Sequence, residues 1–568
     1  MCGIAGIIDF KRAVAPSALN RFTDSLAHRG PDGRGIYIDG NVGLGHRRLS
    51  VLDPSNAGTC PMSFVTKEGH RLWITFNGEV YNFVELQREL SRRGHTFRTR
   101  TDTEVVLAAY AEWGSSCLGR FNGMFAFAIW DEHDKTLFLA RDRFGVKPLY
   151  VSVQDARFAF ASELKAFVAL EGFKRACDEE VASATLTSGQ AIEGTTDRTL
   201  MRDVTRLMPG HWLKIDLSGN VKSAKWWDTK ENLVYTPSEF GERVEAFREL
   251  FLDAVRLRTR SDIPIGTSLS GGLDSSSVVG ALSWLQAHAG EPSERAPPDW
   301  RRAFIAGFPD TNIDEVDHAM AVVRHSGVRE TLWRFDPVAA LSDLEASVWS
   351  MEDVYPGIAL PPWSLYRLMR QNGVFVSLDG HGCDELLAGY PWYLDLPYSD
   401  LGPALHRDFH HTLLPSILRN FDRCSMAHGI EVRMPFMDYR LVCFAFSLPP
   451  EDKLGGGFTK RILRDAVTGL VPEEIRTRRT KVGFNAPMID WFNGDLGPVL
   501  RSCVNHKYWR DNPWWRGPEI GNALLEKCER RGWTASDWDD SLKTWSRMNL
   551  VMWLRMFIDG DRPSGGVQ

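Results

Sequence analysis

Cys2 directly follows the initiator methionine. A thiol in that place has an option that an internal cysteine lacks. Once Met1 is removed it lies beside a free α-amine, with an ordinary pKa of about 7.7–8.0, that can take the proton of its own residue's nucleophile. Such a site also needs donors for an oxyanion and charged groups that hold a substrate. Asn77 and the Gly78 backbone N–H, where the apolar RLWITFNGEV ends a strand, supply the donors. Arg48 in HRRLSVLD and Asp102 in RTDTEV suit the carboxylate and ammonium of an amino acid. A buried structural cysteine is common. The company of Arg48, Asn77, Gly78 and Asp102 favours the nucleophile.

A second constellation lies in SLSGGLDSSSVVG, residues 268–280. A strand runs into Ser270-Gly271-Gly272-Leu273-Asp274-Ser275-Ser276, and a helix follows. The glycine pair lets backbone N–H groups approach an anion, the helix N-terminus adds partial positive charge, and the hydroxyls add donors. This is a phosphate cradle without a Walker lysine. A bare carboxylate at Asp274 would repel phosphate, so Mg2+ between the two is expected. LDGHGCDELLAGY follows another strand and offers Asp384 and Glu385 for metal or substrate. Asp274 and Asp384 are thus the candidate metal ligands. The run containing Arg419, Asp422, Arg423, Glu431, Arg433 and Asp438 interleaves charge with apolar residues, so half-buried ion pairs are expected there. Lys481, just before Gly483, is a candidate phosphate contact.

These residues require two kinds of scaffold. The first ~210 residues read as strands with tight turns, and NFVELQRELSRRG as a short helix closed by Gly94. Residues near 215–240 form a transition. Beyond it, helices alternate with short buried strands (IPIGTSLS, RAFIAGF, GVFVSLDG), the pattern of a parallel sheet covered on both faces. The expected division is 1–215 and 240–560, consistent with 568 residues exceeding one core. Trp545, Met548, Met552, Trp553 and Met556 fall at helical spacing and read as core. A net charge of −6 gives no reason to expect nucleic acid or an anionic membrane. No apolar run approaches the ~20 residues of a membrane span. The nine cysteines are scattered without a C-x-x-C pair, which argues against a disulfide framework and for a reducing cytoplasm.

With these residues assembled, the chain resembles the glutamine-hydrolysing asparagine synthetases from Met1 to about residue 557. MCGIAGI, HRGPDG (28–33), GHRRLSVLD (45–53), FNGEVYN (76–82), TDTEV (101–105) and RDRFGVKPLY (141–150) match, in order, a class II glutamine amidotransferase domain. SGGLDSS resembles the PP-loop of ATP pyrophosphatases. The resemblance implies an α/β protein: an N-terminal αββα N-terminal-nucleophile hydrolase domain, then a parallel-sheet PP-loop domain with helical additions. By the same resemblance Cys2 is the nucleophile, with Asn77 and Gly78 as oxyanion hole. Arg48, Leu49, Ser50, Val51, Leu52, Asn77, Gly78, Glu79 and Asp102 match glutamine-binding positions. Leu269, Ser270, Gly271, Gly272, Asp274, Ser275, Ser276, Ala306, Asp379, Gly380 and Lys481 match ATP and pyrophosphate contacts.

The implied reaction hydrolyses glutamine at one site. At the other, ATP adenylates a carboxylate that ammonia, carried through an internal tunnel, then aminates. The default acceptor is aspartate. One departure bears on it. Where these enzymes show S-G-E-G-x-D-E, this chain has Asp379-Gly380-His381-Gly382-Cys383-Asp384-Glu385. Histidine can act as a base near neutral pH but is not a constant anion. His381, Asp384, Glu385 and Arg433 are the synthetase-site candidates. The same chemistry on a peptide, natural-product intermediate or surface sugar is the alternative. A β-lactam synthetase-like ring-forming enzyme shares the architecture, but the Cys2, Arg48, Asn77 and Asp102 set argues against it. ATP and Mg2+ are the expected cofactors, and glutamine, ATP and the acceptor the expected partners. No nucleic acid or membrane is expected, and a homodimer is the candidate assembly.

Overall fold

The computed structural model describes residues 1–188, 192–288, 295–309, 311, 313–480 and 486–563. Two six-stranded sheets pack face to face in the N-terminal region. In the first, Gly3–Asp9 lies antiparallel between Val42–Arg48 and Arg157–Ala161. In the second, Arg71–Val80 lies between Met62–Val65 and Gly123–Asp131, with Asn77 opposite Ala126. The period-2 alternation of strand side chains builds the layers. Ile4 and Ile8 meet Ala126, Ala128 and Trp130 of the other sheet. Ala5 and Ile7 face outward onto Leu19, Phe22 and Leu26, in and just after the helix Pro16–Asp24. On the far side, Ile74 and Phe76 pack under helices Phe83–Arg92 and Asp102–Trp113. The αββα arrangement is therefore present. The strand expected to end at Asn77-Gly78 continues to Val80, because Gly78 and Glu79 still pair with Phe125 and Met124.

The C-terminal sheet is five-stranded and wholly parallel. Its order is Arg329–Arg334, Arg302–Gly307, Ile265–Ser268, Val376–Leu378, Glu431–Arg433. In chain order that is 3-2-1-4-5, a doubly wound sheet whose direction of winding reverses between Ile265–Ser268 and Val376–Leu378. Ligands bind at such a reversal, beyond the carboxyl ends of the strands. The cradle at 270–276 leaves one of these two strands and the segment 379–385 leaves the other. The tail helix Trp538–Trp553 and the turn after it bury Trp545, Met548, Met552, Trp553 and Met556 in the core, as their spacing implied. The charged run from Arg419 to Asp438 lies deeper than expected: Arg419, Asp422, Arg423, Glu431, Arg433 and Asp438 are all buried, and all are ion-paired.

Candidate functional sites

The first site lies where the two N-terminal sheets present their strand ends. A cavity of about 40 Å3 is lined by Cys2, Arg48, Leu49, Val51, Leu52, Gly78, Glu79 and Asp102, and Met1 closes one side. The Cys2 backbone N–H donates to Asn77 Oδ1 at 3.1 Å. The other end of that amide, Asn77 Nδ2, is buried and has no hydrogen-bond partner among the described residues. An orphaned buried donor costs about 1–3 kcal/mol; this one belongs to the amide that holds Cys2 N, although Asn77 itself does not line the cavity. Gly78 cannot carry a side chain, because a Cβ would lie 2.2 Å from the Met124 carbonyl oxygen.

Charges around this cavity are strongly shaped by burial. Burial pushes the Cys2 thiol up, while the Met1 ammonium, a backbone hydrogen bond at Leu49 and Arg48 pull the other way. Asp102 opens its helix and accepts from Val80 N at 2.9 Å; burial nevertheless raises it to about 6. Burial, then Glu431 and Asp102, push Glu79 well above the carboxylate range. Arg48 donates to the carbonyls of Ser55, Leu52 and Asp53, so its guanidinium holds the loop that forms one wall. Ser50 gives its N–H to Asp32 at 2.8 Å and does not line the cavity.

Met1 is buried, and its ammonium donates to Glu431 Oε2 at 2.7 Å. Glu431 belongs to the last strand of the parallel sheet, so the second domain forms the floor behind the first site. Burial favours the neutral acid, yet the Met1 ammonium and Arg433 hold Glu431 down to about 2. Arg433, expected at the synthetase site, is instead part of this floor. It donates to Glu431 Oε1 at 2.6 Å and to the carbonyls of Arg258 and Arg260, and lies 3.6 Å from Glu79. Residues 431 and 433 share one face of a strand, and that face looks toward the N-terminal domain.

The second site sits at the sheet reversal. A cavity of about 340 Å3 is lined by Leu269, Ser270, Asp274, Ser275, Ala306, Gly380, His381, Asp384 and Glu385, with apolar walls. A smaller basic pocket of about 70 Å3 adjoins it, lined by Ser270, Gly272, Asp274, Ser275, Lys460, Arg464, Arg478 and Arg479. Gly271 has φ of 81°, and a Cβ there would meet Ala319 N at 2.6 Å. Ser276 lines neither cavity, and its hydroxyl is buried without a hydrogen-bond partner among the described residues. Asp379 does not line the cavity either. It accepts from Ser377 Oγ, Tyr366 Oη and Ser268 N at 2.5, 2.6 and 3.3 Å, and so ties the two strands at the reversal together. His381 Nδ1 is 3.9 Å from Asp379, and its ring lies against Phe421. Lys481 lies outside the described residues.

Asp274 and Asp384 do converge, but on the Lys460 ammonium, at 2.5–2.7 Å. Among the described residues no group of three or more His, Cys, Asp or Glu is arranged for a metal. Two hard carboxylate oxygens turned toward one cation still fit Mg2+, whose remaining ligands are usually phosphates and water. Lys460, Arg464, Arg478 and Arg479 were not identified from sequence. The basic stretch 476–481, which ends in Lys481, was the signal available for Arg478 and Arg479.

One buried arginine joins the two sites. Arg29, from HRGPDG, donates to the Cys2 carbonyl at 3.1 Å, to Glu163 at 2.6 Å, and to both oxygens of Asp422 at 2.8 and 3.1 Å. Asp422 lies on helix Leu414–Met426, whose Ile417, Asn420 and Phe421 line the larger cavity. RDRFGVKPLY is scaffolding: Asp142 accepts from the N–H groups of Phe144, Val146 and Lys147.

A four-layer domain with a thiol at its second residue is joined to a doubly wound domain with a Gly-Gly turn at its sheet reversal, and the family models identify an enzyme of the amidotransferase class. Residues 1–227 match the family model of a glutamine amidotransferase domain, and residues 246–404 and 397–555 match that of asparagine synthase. The chain belongs to the asparagine synthase family. It is 28% identical to asparagine synthetase [glutamine-hydrolyzing] 1 of Bacillus subtilis (strain 168), over 98% of this chain and 97% of that protein. To asparagine synthetase [glutamine-hydrolyzing] 3 of the same organism it is 31% identical, over 84% of this chain and 86% of that one. It is also 31% identical to amidase chyE of Penicillium rubens, over 66% of this chain and 55% of that protein. No helix among the described residues is long and apolar enough to cross a membrane.

Proposed function

We propose that the protein is a glutamine-dependent amidotransferase that forms AMP and pyrophosphate while converting a carboxylate to a primary amide. The observation that carries this is the orphaned Asn77 Nδ2 beside Cys2, in a chain that also holds a phosphate cradle at a sheet reversal. With Met1 released, Cys2 N becomes an amine held by Asn77 Oδ1. The amine takes the thiol proton, and Sγ attacks the glutamine amide carbon. Asn77 Nδ2 and Gly78 N–H stabilise the oxyanion. The proton passes to the leaving nitrogen, ammonia departs, and water hydrolyses the thioester to glutamate. Asp102 pairs with the glutamine ammonium, and Arg48 shapes the wall that receives the substrate.

In the second cavity an acceptor carboxylate oxygen attacks the α-phosphorus of ATP, and pyrophosphate leaves toward Lys460, Arg464, Arg478 and Arg479. Mg2+, held by Asp274 and Asp384, would neutralise phosphate charge. Ammonia attacks the acyl carbon, AMP leaves, and His381, which lines this cavity, takes the released proton. Ammonia lost to water would be protonated, which favours passage inside the chain from the first site to the second. The resemblance makes aspartate the expected acceptor. The test is stoichiometry: glutamine, ATP, MgCl2 and an acceptor should yield glutamate, AMP, pyrophosphate and amide in equal amounts. ADP in place of AMP would refute the reading.

A further inference from the structure

We propose that Asp262, a residue of the second domain, is a positioning residue for glutamine at the first site, because it clamps the loop 49–53 that walls the Cys2 cavity. This rests on the reading of that cavity as the glutamine site. Leu49, Val51 and Leu52 line it. No strand or helix holds their backbone, since Val42–Arg48 ends just before them. From its own domain, Arg48 donates to the carbonyls of Leu52, Asp53 and Ser55. Across the domain boundary, Asp262 grips the same turn twice. Its N–H donates to the Val51 carbonyl at 3.1 Å, and its Oδ2 accepts from the Asp53 N–H at 2.7 Å. Leu52 is bracketed by these two bonds.

The turn needs holding. Asp53 has φ of 48°, in the left-handed region, where a residue with a side chain stays only if its surroundings fix it. Its own carboxylate is engaged, accepting from Ser55 Oγ at 2.6 Å and from Arg100 N at 3.1 Å. Asp262 is oriented in turn by Arg295, whose Nη1 donates to the same Oδ2 at 2.9 Å and whose Nη2 donates to the Arg100 carbonyl. A backbone N–H on an ionised carboxylate is one of the stronger kinds of hydrogen bond. Asp262 does not line the cavity, so it acts through Val51 and Leu52 and not on the substrate. The segment around it is anchored to the first domain at another point: Arg260 donates to both oxygens of Glu85 at 2.6 and 2.7 Å. Three residues beyond Asp262 begins Ile265–Ser268, the strand that leads into the cradle. The glutamine wall is thus built on the lead-in to the ATP strand. Releasing the clamp lets 49–53 leave its place. Apparent affinity then falls by the fraction of molecules in which the wall is formed, while bound glutamine still meets Cys2, Asn77 and Gly78. The change should appear in KM and not in kcat.

The experiment measures glutamate release against glutamine concentration in the full-length protein and in Asp262→Ala, Asp262→Asn and Arg295→Met. Asp262→Ala should raise KM about tenfold and leave kcat within about twofold. Asp262→Asn keeps an oxygen that accepts from Asp53 N–H and should stay within about threefold of the wild-type KM. Arg295→Met removes the group that orients Asp262 and should raise KM about threefold with kcat kept, which carries the test if the alanine variant does not fold. Wild-type KM in both Asp262→Ala and Arg295→Met would overturn the inference, as would a fall in kcat at unchanged KM, or asparagine no better than alanine. Those results leave the glutamine reading standing. A wild-type protein that releases no glutamate from glutamine would overturn that reading and this inference with it.

Discussion

Asn77→Ala separates a catalytic from a structural role for the amide beside Cys2. Two opposing effects on stability follow from the geometry. Truncation leaves the Cys2 N–H without its acceptor, which costs about 1–3 kcal/mol, but it also removes an orphaned buried donor that costs about 1–3 kcal/mol. The two nearly cancel, so stability by urea unfolding should change by no more than about 1 kcal/mol in either direction. Catalysis has no such compensation. Loss of one oxyanion donor costs about 10²–10³ in kcat, roughly 2.7–4 kcal/mol at the transition state. Glutamate release should therefore fall by that factor with little change in KM, and ammonium-driven AMP formation should persist. A fall of less than about fivefold, far short of that range, would show that Asn77 Nδ2 does not meet the oxyanion. A large loss of stability with equal loss of both activities would make the residue structural.

Three further outcomes follow. Asp102 must be ionised to hold the glutamine ammonium, and burial raises it to about 6; kcat/KM for glutamine, already falling about tenfold per unit below the ~7.7–8.0 of the α-amine, should steepen to about a hundredfold per unit below that value, and an unchanged slope through it would contradict the assignment. Arg29→Met strips the shared guanidinium from buried Glu163 and Asp422 and should cost about 3–5 kcal/mol in chemical denaturation, whereas a loss under about 1 kcal/mol would show the cluster is satisfied without it. Asp274→Asn should severely lower pyrophosphate release while glutamine hydrolysis continues; unchanged pyrophosphate release would remove Asp274 from the metal assignment.

Placements that depend on neighbours in sequence were legible before any coordinates. The Gly-Gly turn between Ile265–Ser268 and the helix from Leu273 announces a cradle because strand, turn and helix are contiguous. Cys2 stood out through its place in the chain, and Asn77-Gly78 through an expected strand end that the structure moves on to Val80. Arg433 was misplaced because which side of a strand faces which domain is set by packing, and no local pattern states it. Ser276 was misplaced for the same reason, one turn into a helix. Lys460, Arg464, Arg478 and Arg479 come from separate segments that meet only in the folded chain. Lys460 also adopts a left-handed backbone, φ 55°, which nothing in its neighbourhood advertises. The charged run 419–438 was readable as paired, but its burial beneath Met1 and Cys2 depends on the docking of the two domains.

The central claim is that one chain carries two separable chemistries, with Cys2 confined to the first. Cys2→Ala, assayed for AMP formation with glutamine and then with ammonium chloride as nitrogen source, tests it most directly. Glutamine-driven AMP formation coupled to amide should vanish, and ammonium-driven synthesis should remain at the wild-type rate. Equal loss of both, or retention of glutamine-driven synthesis, would contradict the account.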